Sequence, residues 1–256
     1  QNCTNMKKIL PIFLFLFGAG FIMGQTTFSD DFDSYAEGDF IGTKTGWTTW
    51  SGTPGGADDA PVTSELSFSG SNSVKFESYS ATGGPADVIL SMPYRLTSGS
   101  LIFKSQMYVV EGTAAYFNFQ GGTAPGQSWS AETYFDDNGS VRVVSSGTER
   151  LTGRFPHGEW FEIEYRIDFD KNAWETIVNG ECLGVFTNDA SLNSVGSLDF
   201  YPTNSNAANS TSIYYLDDVY YEVSTDGLEE IELDASISEV SLKSKSLTGL
   251  ESPIAG

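Results

Sequence analysis

Four stretches of this chain alternate between apolar and polar side chains with a period of two. In Tyr116-Phe117-Asn118-Phe119-Gln120, Phe117 and Phe119 point one way, and Tyr116, Asn118 and Gln120 the other. In the run from Glu162 to Phe169, the isoleucines, Tyr165 and Phe169 oppose Glu162, Glu164, Arg166 and Asp168. Glu132-Thr133-Tyr134-Phe135-Asp136 and Leu198-Asp199-Phe200-Tyr201 repeat the pattern. Side chains alternate in this way along a strand with one buried and one solvated face. The polar sides combine aromatic rings, amides and carboxylates, and they are expected to join in one shared face that carries the function.

The same reading extends along the chain. Strands are expected over Thr27 to Phe32, Ser73 to Ser78, Asp87 to Leu90, Ser100 to Val109, Ala115 to Gln120 and Ser130 to Phe135. More follow at Val141 to Ser145, Phe161 to Asp168, Ala173 to Val178, Glu181 to Phe186, Ser197 to Tyr201 and Ser212 to Glu222. Clusters of Gly, Ser, Asn and Asp separate them. No stretch offers a helix of three turns. Asp137-Asn138-Gly139 and Asn179-Gly180 predict tight hairpins, since Asn-Gly accepts a positive φ at both central positions. So many strands exceed what one open sheet holds before it curls or splits. The expected fold is all-β, a two-sheet antiparallel sandwich of jelly-roll type.

Composition agrees with this class: 14% of the 256 residues are aromatic and 27 are glycine. Acidic side chains outnumber basic ones 34 to 13, for a formal charge of -21. Such a surface repels phosphate backbones and argues against nucleic acid as a partner. His157 is the sole histidine and sits in Phe155-Pro156-His157-Gly158, a turn before a strand, which leaves no histidine-rich metal site. Phosphate loops, dinucleotide fingerprints and thiol pairs are absent.

The beginning of the chain reads as an address. Met6-Lys7-Lys8 is a basic start, Ile9 to Phe17 an apolar core, and Gly18 to Gly24 a small-residue stretch. Residues 1–24 are therefore expected to be upstream residues plus a cleaved secretory signal, leaving no membrane span in an exported protein. Residues 25–226 form the expected sandwich. Residues 227–256 read as a poorly ordered tail or the start of a further sorting domain.

The order of several segments resembles a known family. They are Asp30-Asp31-Phe32-Asp33-Ser34-Tyr35, Trp47-Thr48-Thr49-Trp50-Ser51, Ala57-Asp58-Asp59-Ala60, Gly158-Glu159-Trp160-Phe161 and Tyr215-Leu216-Asp217-Asp218-Val219. In order and spacing they are similar to concanavalin A-like (laminin-G-like) jelly-roll domains of secreted Bacteroidetes proteins. The resemblance implies a secreted or cell-surface location among proteins that bind, degrade or adhere to polysaccharide. It implies no activity of its own.

The expected function is carbohydrate binding or adhesion without catalysis. Sugar rings would stack on Tyr116, Tyr134 and Tyr201, with Trp50 from a long loop over residues 47 to 61. Asn118, Gln120, Glu132, Glu164, Arg166 and Asp199 would bind hydroxyl groups. Structural calcium is expected on Asp31, Asp33, Asp217 and Asp218, which come together if the terminal strands pair. Two alternatives stay open: a structural surface protein without a specific glycan site, and a glycoside hydrolase with a degenerate acid pair among Glu132, Glu162, Glu164 and Asp168. The sequence leaves the oligomeric state open.

Overall fold

The computed structural model describes residues 25–206 and 208–228; the leader-like segment 1–24 and the tail from residue 229 lie outside the described residues. Fifteen strands fill it: β1 (Thr26–Asp30), β2 (Trp47–Thr49), β3 (Val62–Thr63), β4 (Ser73–Ser78), β5 (Val88–Leu96), β6 (Ser100–Val109), β7 (Ala115–Gln120), β8 (Trp129–Phe135), β9 (Ser140–Ser145), β10 (Thr148–Arg154), β11 (Trp160–Asp168), β12 (Ala173–Val178), β13 (Glu181–Phe186), β14 (Val195–Phe200) and β15 (Ser212–Ser224). A single 3-10 turn, Ile41–Thr43, is the only helical element among the described residues.

They form two antiparallel sheets, as the alternation predicts. One runs β13-β12-β11-β6-β15-β4-β3 with β1 also on β15, and the other runs β10-β9-β8-β7-β14-β5-β2. Strands β4, β6, β7, β12 and β13 have the predicted bounds. Strands β2, β3 and β10 were not anticipated. The first two span 3 and 2 residues, too short to show a period. The third, Thr-Glu-Arg-Leu-Thr-Gly-Arg, sits at a sheet edge with no apolar alternation. At the Asn179-Gly180 hairpin both residues take positive φ, 49° and 77°, as its sequence requires.

The apolar sides of the two sheets meet in one core. Phe117 of β7 is at its middle, with ring centroids 5.7 to 6.2 Å from Phe103, Phe119, Phe135, Tyr165 and Phe200. The buried Tyr165 hydroxyl of β11 meets Thr133 Oγ1 of β8 at 2.7 Å, so the sheets are tied by a polar contact as well. Burial pushes the Tyr165 phenol up to about 12, which keeps it protonated for that bond.

The long β15 closes the larger sheet. Its residues Ser212–Leu216 pair with β4 and Val219–Val223 pair with β1, so the terminal strands lie side by side as expected. Between these halves the register slips at Asp217–Tyr220. There Asp218 takes a φ of 45°, and Asp217 turns its carboxylate onto the N–H groups of Phe68 (2.7 Å) and Ser69 (3.2 Å). The bulge anchors the loop after β3.

Because Phe117 touches rings from both sheets, Phe117→Ala should destabilise the fold by about 3 to 5 kcal/mol. Urea unfolding measures this, and a loss below about 1 kcal/mol would mean that the core is not organised around this ring.

Candidate functional site

The outward face of the seven-stranded sheet gathers most of the predicted polar residues. Asn118 of β7 pairs across the backbone with Glu132 of β8 on one side and Asp199 of β14 on the other. Tyr116 pairs with Tyr134 one row along, and the Tyr201 amide reaches the Tyr116 carbonyl at 3.4 Å. Three strands therefore present Glu132, Asn118 and Asp199 in one row and Tyr134, Tyr116 and Tyr201 in the next. Glu132 Oε1 accepts the hydroxyls of Tyr116 (3.0 Å) and Tyr134 (2.8 Å). Burial first, and then the Glu132 carboxylate, raise both phenols above the ordinary tyrosine range, so both remain donors. Asn118 Nδ2 donates to Asp199 Oδ2 at 2.7 Å, and Gln120 Nε2 donates to Asn118 Oδ1 at 2.5 Å.

This polar layer is mostly covered. Asn118 and Gln120 are 0% exposed and Asp199 is 4% exposed. The cover comes from two loops that meet above the sheet. Trp50 follows β2, Trp129 opens β8, and three strands separate β2 from β8. That is roughly 19 Å along the sheet at the usual strand spacing. The two indoles nevertheless stack with centroids 6.3 Å apart and planes 29° from parallel. The segment 121–128 folds inward to close the gap. Its Gly126 donates its N–H to Gln120 Oε1 at 3.0 Å, with a φ of 79°. A Cβ at Gly126 would lie 3.1 Å from the Trp50 ring, so glycine admits both the turn and the close approach. Trp50 and Trp129 remain 36% and 41% exposed. They form an aromatic platform over a buried polar base.

A carboxyl pair lies at one side of that base. Asp87, just before β5 and on the same outward face as Asp199 of the neighbouring β14, lies against that carboxyl, and each leaves its Oδ1 buried without a hydrogen-bond donor. Two ionised carboxylates in such a place would repel each other with little solvent to screen them. Burial, reinforced by the Asp199 charge, pushes the Asp87 carboxyl far above the ordinary range, and burial raises Asp199 as well. A proton held between the two would remove the repulsion.

Not all the predicted residues share this face. Glu164 and Arg166 lie on β11, in the other sheet, with side chains on that sheet's outer surface. There Arg166 Nε donates to Glu164 Oε1 at 2.7 Å, and Lys104 Nζ lies 3.2 Å from Glu164 Oε2. The expectation of one shared face is corrected here. Alternation separates inside from outside but does not say to which sheet a strand belongs. The same placement removes Glu162, Glu164 and Asp168 from any acid pair with Glu132, because the whole core lies between them. Asp168 instead accepts the N–H groups of Lys171 and Leu228 at 2.8 and 2.9 Å.

Tyr116 and Tyr201 are also not free to stack on sugars. Tyr116 is buried, and the Tyr201 hydroxyl binds the Thr82 carbonyl at 2.6 Å while its ring rests on Gly83. Tyr134 is half-buried, with the Arg142 guanidinium 4.7 Å from its ring centre. Arg142 is held by both oxygens of Asp136 at 2.6 and 2.9 Å. Trp129 and Asp87 escaped the sequence reading. The alternation assigns Trp129 to the core side, and Asp87 stands as the first residue of a short run. Only the fold of the covering loops reveals either role.

The acids expected to bind calcium do approach one another. Asp31 and Asp218 line a cavity of about 340 Å³ with Ser29, Asp30, Ser34 and Tyr35. However, Asp33 Oδ1 accepts the N–H groups of Ser71 and Asn72 at 2.7 and 3.0 Å, and both Asp217 oxygens are held by backbone N–H groups. Among the described residues no three His, Cys, Asp or Glu side chains are grouped to hold a metal ion. Asp33 and Asp217 are thus engaged by the backbone, while Asp31 and Asp218 line the cavity.

No family model and no curated protein matches the chain. Solved structures do. A sialidase is 15% identical over 78% of this chain, with a TM-score of 0.55, and the chain spans only 18% of that protein. A basic winged bean lectin bound to Tn-antigen is 9% identical over 78% of this chain and 99% of its own, with a TM-score of 0.49. The catalytic domain of a glycoside hydrolase family 131 protein from Coprinopsis cinerea is 16% identical over 79% of this chain and 97% of its own, with a TM-score of 0.47. At 15% identity the likeness to the sialidase shows the fold and nothing finer.

The hydroxyl of Tyr116 binds Glu132 in a buried setting, so Tyr116→Phe should cost about 0.5 to 1.5 kcal/mol in chemical unfolding. An unchanged midpoint would show that Glu132 is satisfied without it.

Proposed function

We propose that this protein binds glycans without cleaving them, through the Trp50–Trp129 pair and the polar groups beside it. The observation that carries the reading is the pair itself: two large rings, each more than a third exposed, held together above a polar base. Stacking on each other still leaves each indole with apolar surface in water. Both gain when a ligand with apolar C–H faces covers that surface, and sugar rings have such faces. Half-buried Glu132 and Tyr134 stand on the same sheet face and offer hydrogen bonds to hydroxyl groups.

The charge of the face narrows the ligand. Glu132, Asp87 and Asp199 are acidic, and the nearby guanidinium of Arg142 is already bound to Asp136. Uncharged polysaccharides suit such a site better than polyuronates or sulfated glycans, which carry the same sign. The fold of a jelly-roll sandwich is compatible with this use, as is export, for which residues 6–24 supply a leader-like pattern.

The test is retention on insoluble uncharged polysaccharides (cellulose, xylan, mannan, β-1,3-glucan), with alginate as the anionic control. Trp50→Ala and Trp129→Ala should each weaken binding by roughly tenfold or more, as loss of about 1.4 kcal/mol or more at an aromatic anchor does. Retention of none of these polymers by the folded protein would favour a structural surface protein instead. Retention undiminished by either variant would move the site elsewhere.

A further inference from the structure

The Asp87–Asp199 pair is connected to both halves of the tryptophan platform. Through the backbone, Asp87 holds the first loop: its carbonyl accepts the Trp50 N–H at 2.9 Å, and its own N–H donates to the Asp58 carbonyl at 2.8 Å. Through side chains, Asp199 holds the second. Its Oδ2 accepts Asn118 Nδ2, Asn118 Oδ1 accepts Gln120 Nε2, and Gln120 Oε1 accepts the Gly126 N–H. Gly126 in turn packs on the Trp50 ring, and that ring stacks on Trp129. One link in this circuit lacks a donor. Asp87 Oδ1 and Asp199 Oδ1 are both buried and both unpartnered.

We propose that Asp87 and Asp199 are positioning residues for the Trp50–Trp129 platform: a single proton shared by the two carboxyls closes the circuit that fixes both indole-bearing loops. The proton does two things at once. It removes one of two like charges, and it replaces a repulsion with a charge-assisted hydrogen bond. When it leaves, the carboxylates separate. Asp87 then pulls on the Trp50 backbone, and Asp199 pulls on the chain that leads to Gly126.

The other groups that face the pair do not supply a substitute cation. They are Asp58 and the phenols of Tyr116, Tyr201 and Tyr214. Burial and the Asp199 charge raise Asp87 from 3.8 to about 9. The folded state therefore binds this proton more tightly than the unfolded chain does. Asp87's contribution to stability is full below pH 3.8 and is lost as pH rises through about 9, and the share of Asp199, raised to about 6, is lost before it.

The experiment follows the near-ultraviolet circular dichroism of the stacked indoles from pH 6 to pH 10.5, with Trp129→Phe identifying the signal of the pair. Far-ultraviolet spectra report whether the sandwich stays folded. The wild-type signal should fall with a one-proton midpoint near 9, while Asp87→Asn, whose amide donates at every pH, keeps it across the range. Asp199→Asn, which leaves no second charge to repel, should flatten the profile too and serves if the first variant fails to fold. A wild-type signal that is constant to pH 10.5, or variants that titrate as the wild type does, would overturn the proposal.

Retention on the polysaccharide that binds best at pH 7 gives a second readout and rests on the glycan reading. Above the midpoint binding should weaken by up to roughly tenfold per pH unit, the limit for one linked proton. If the indole signal titrates but no glycan is retained at any pH, the platform's proton stands and the glycan reading falls. Binding that is flat with pH while the glycan is retained overturns the proposal and leaves the glycan reading intact.

Discussion

The two sheets are held by one constraint: the rings of β7, β8, β11 and β14 must meet in the space between them. Phe117 and Tyr165 lie in that space, and their neighbours from both sheets leave it without solvent. Because side chains alternate along a strand, turning Phe117 and Phe119 inward obliges Tyr116, Asn118 and Gln120 to face outward. The polar layer of the seven-stranded sheet is thus a consequence of how the core packs. A slip of one residue in β7 would turn two amides into the apolar core and two phenyl rings into the polar layer.

An outward face of this kind would normally be solvated, yet here most of it is covered. Loops reaching from β2 and into β8 close over the sheet, and the amides below satisfy one another and the backbone of Gly126. Most of these buried polar groups are paired, which makes a rigid base, and the orphaned oxygens of Asp87 and Asp199 mark a point where pairing needs a proton. What reaches solvent is two indoles with Glu132 and Tyr134 beside them. The buried layer fixes the geometry, and the exposed rings offer the contact.

Much of this was legible in the amino-acid sequence, and the limits are instructive. Alternating stretches gave the strands, with β4, β6, β7, β12 and β13 bounded as expected, because each buries one full face. The short β2 and β3 and the polar edge strand β10 lack the period on which such a reading depends. Tyr116, Asn118, Gln120, Glu132, Tyr134, Asp199 and Tyr201 do share a face. Glu164 and Arg166 do not, since strand pairing at long range decides which sheet holds β11. The burial of Tyr116 and Asn118 was hidden for a related reason: it depends on loops whose path no local pattern records. Trp129 reads as a core residue by parity, and a bulge between β7 and β8 at Phe119–Gln120 is what frees it.

The most direct test uses the five tryptophans as reporters: Trp47, Trp50, Trp129, Trp160 and Trp174. Their indole N–H resonances can be followed by nuclear magnetic resonance while soluble fragments of uncharged glucan, xylan and mannan are added. Shifts confined to Trp50 and Trp129, with the buried Trp47 and Trp174 and the remote Trp160 unmoved, are the predicted result. Shifts at Trp160 with Trp50 and Trp129 unmoved, or no shift with any fragment, would contradict the assignment of the paired indoles as the recognition surface.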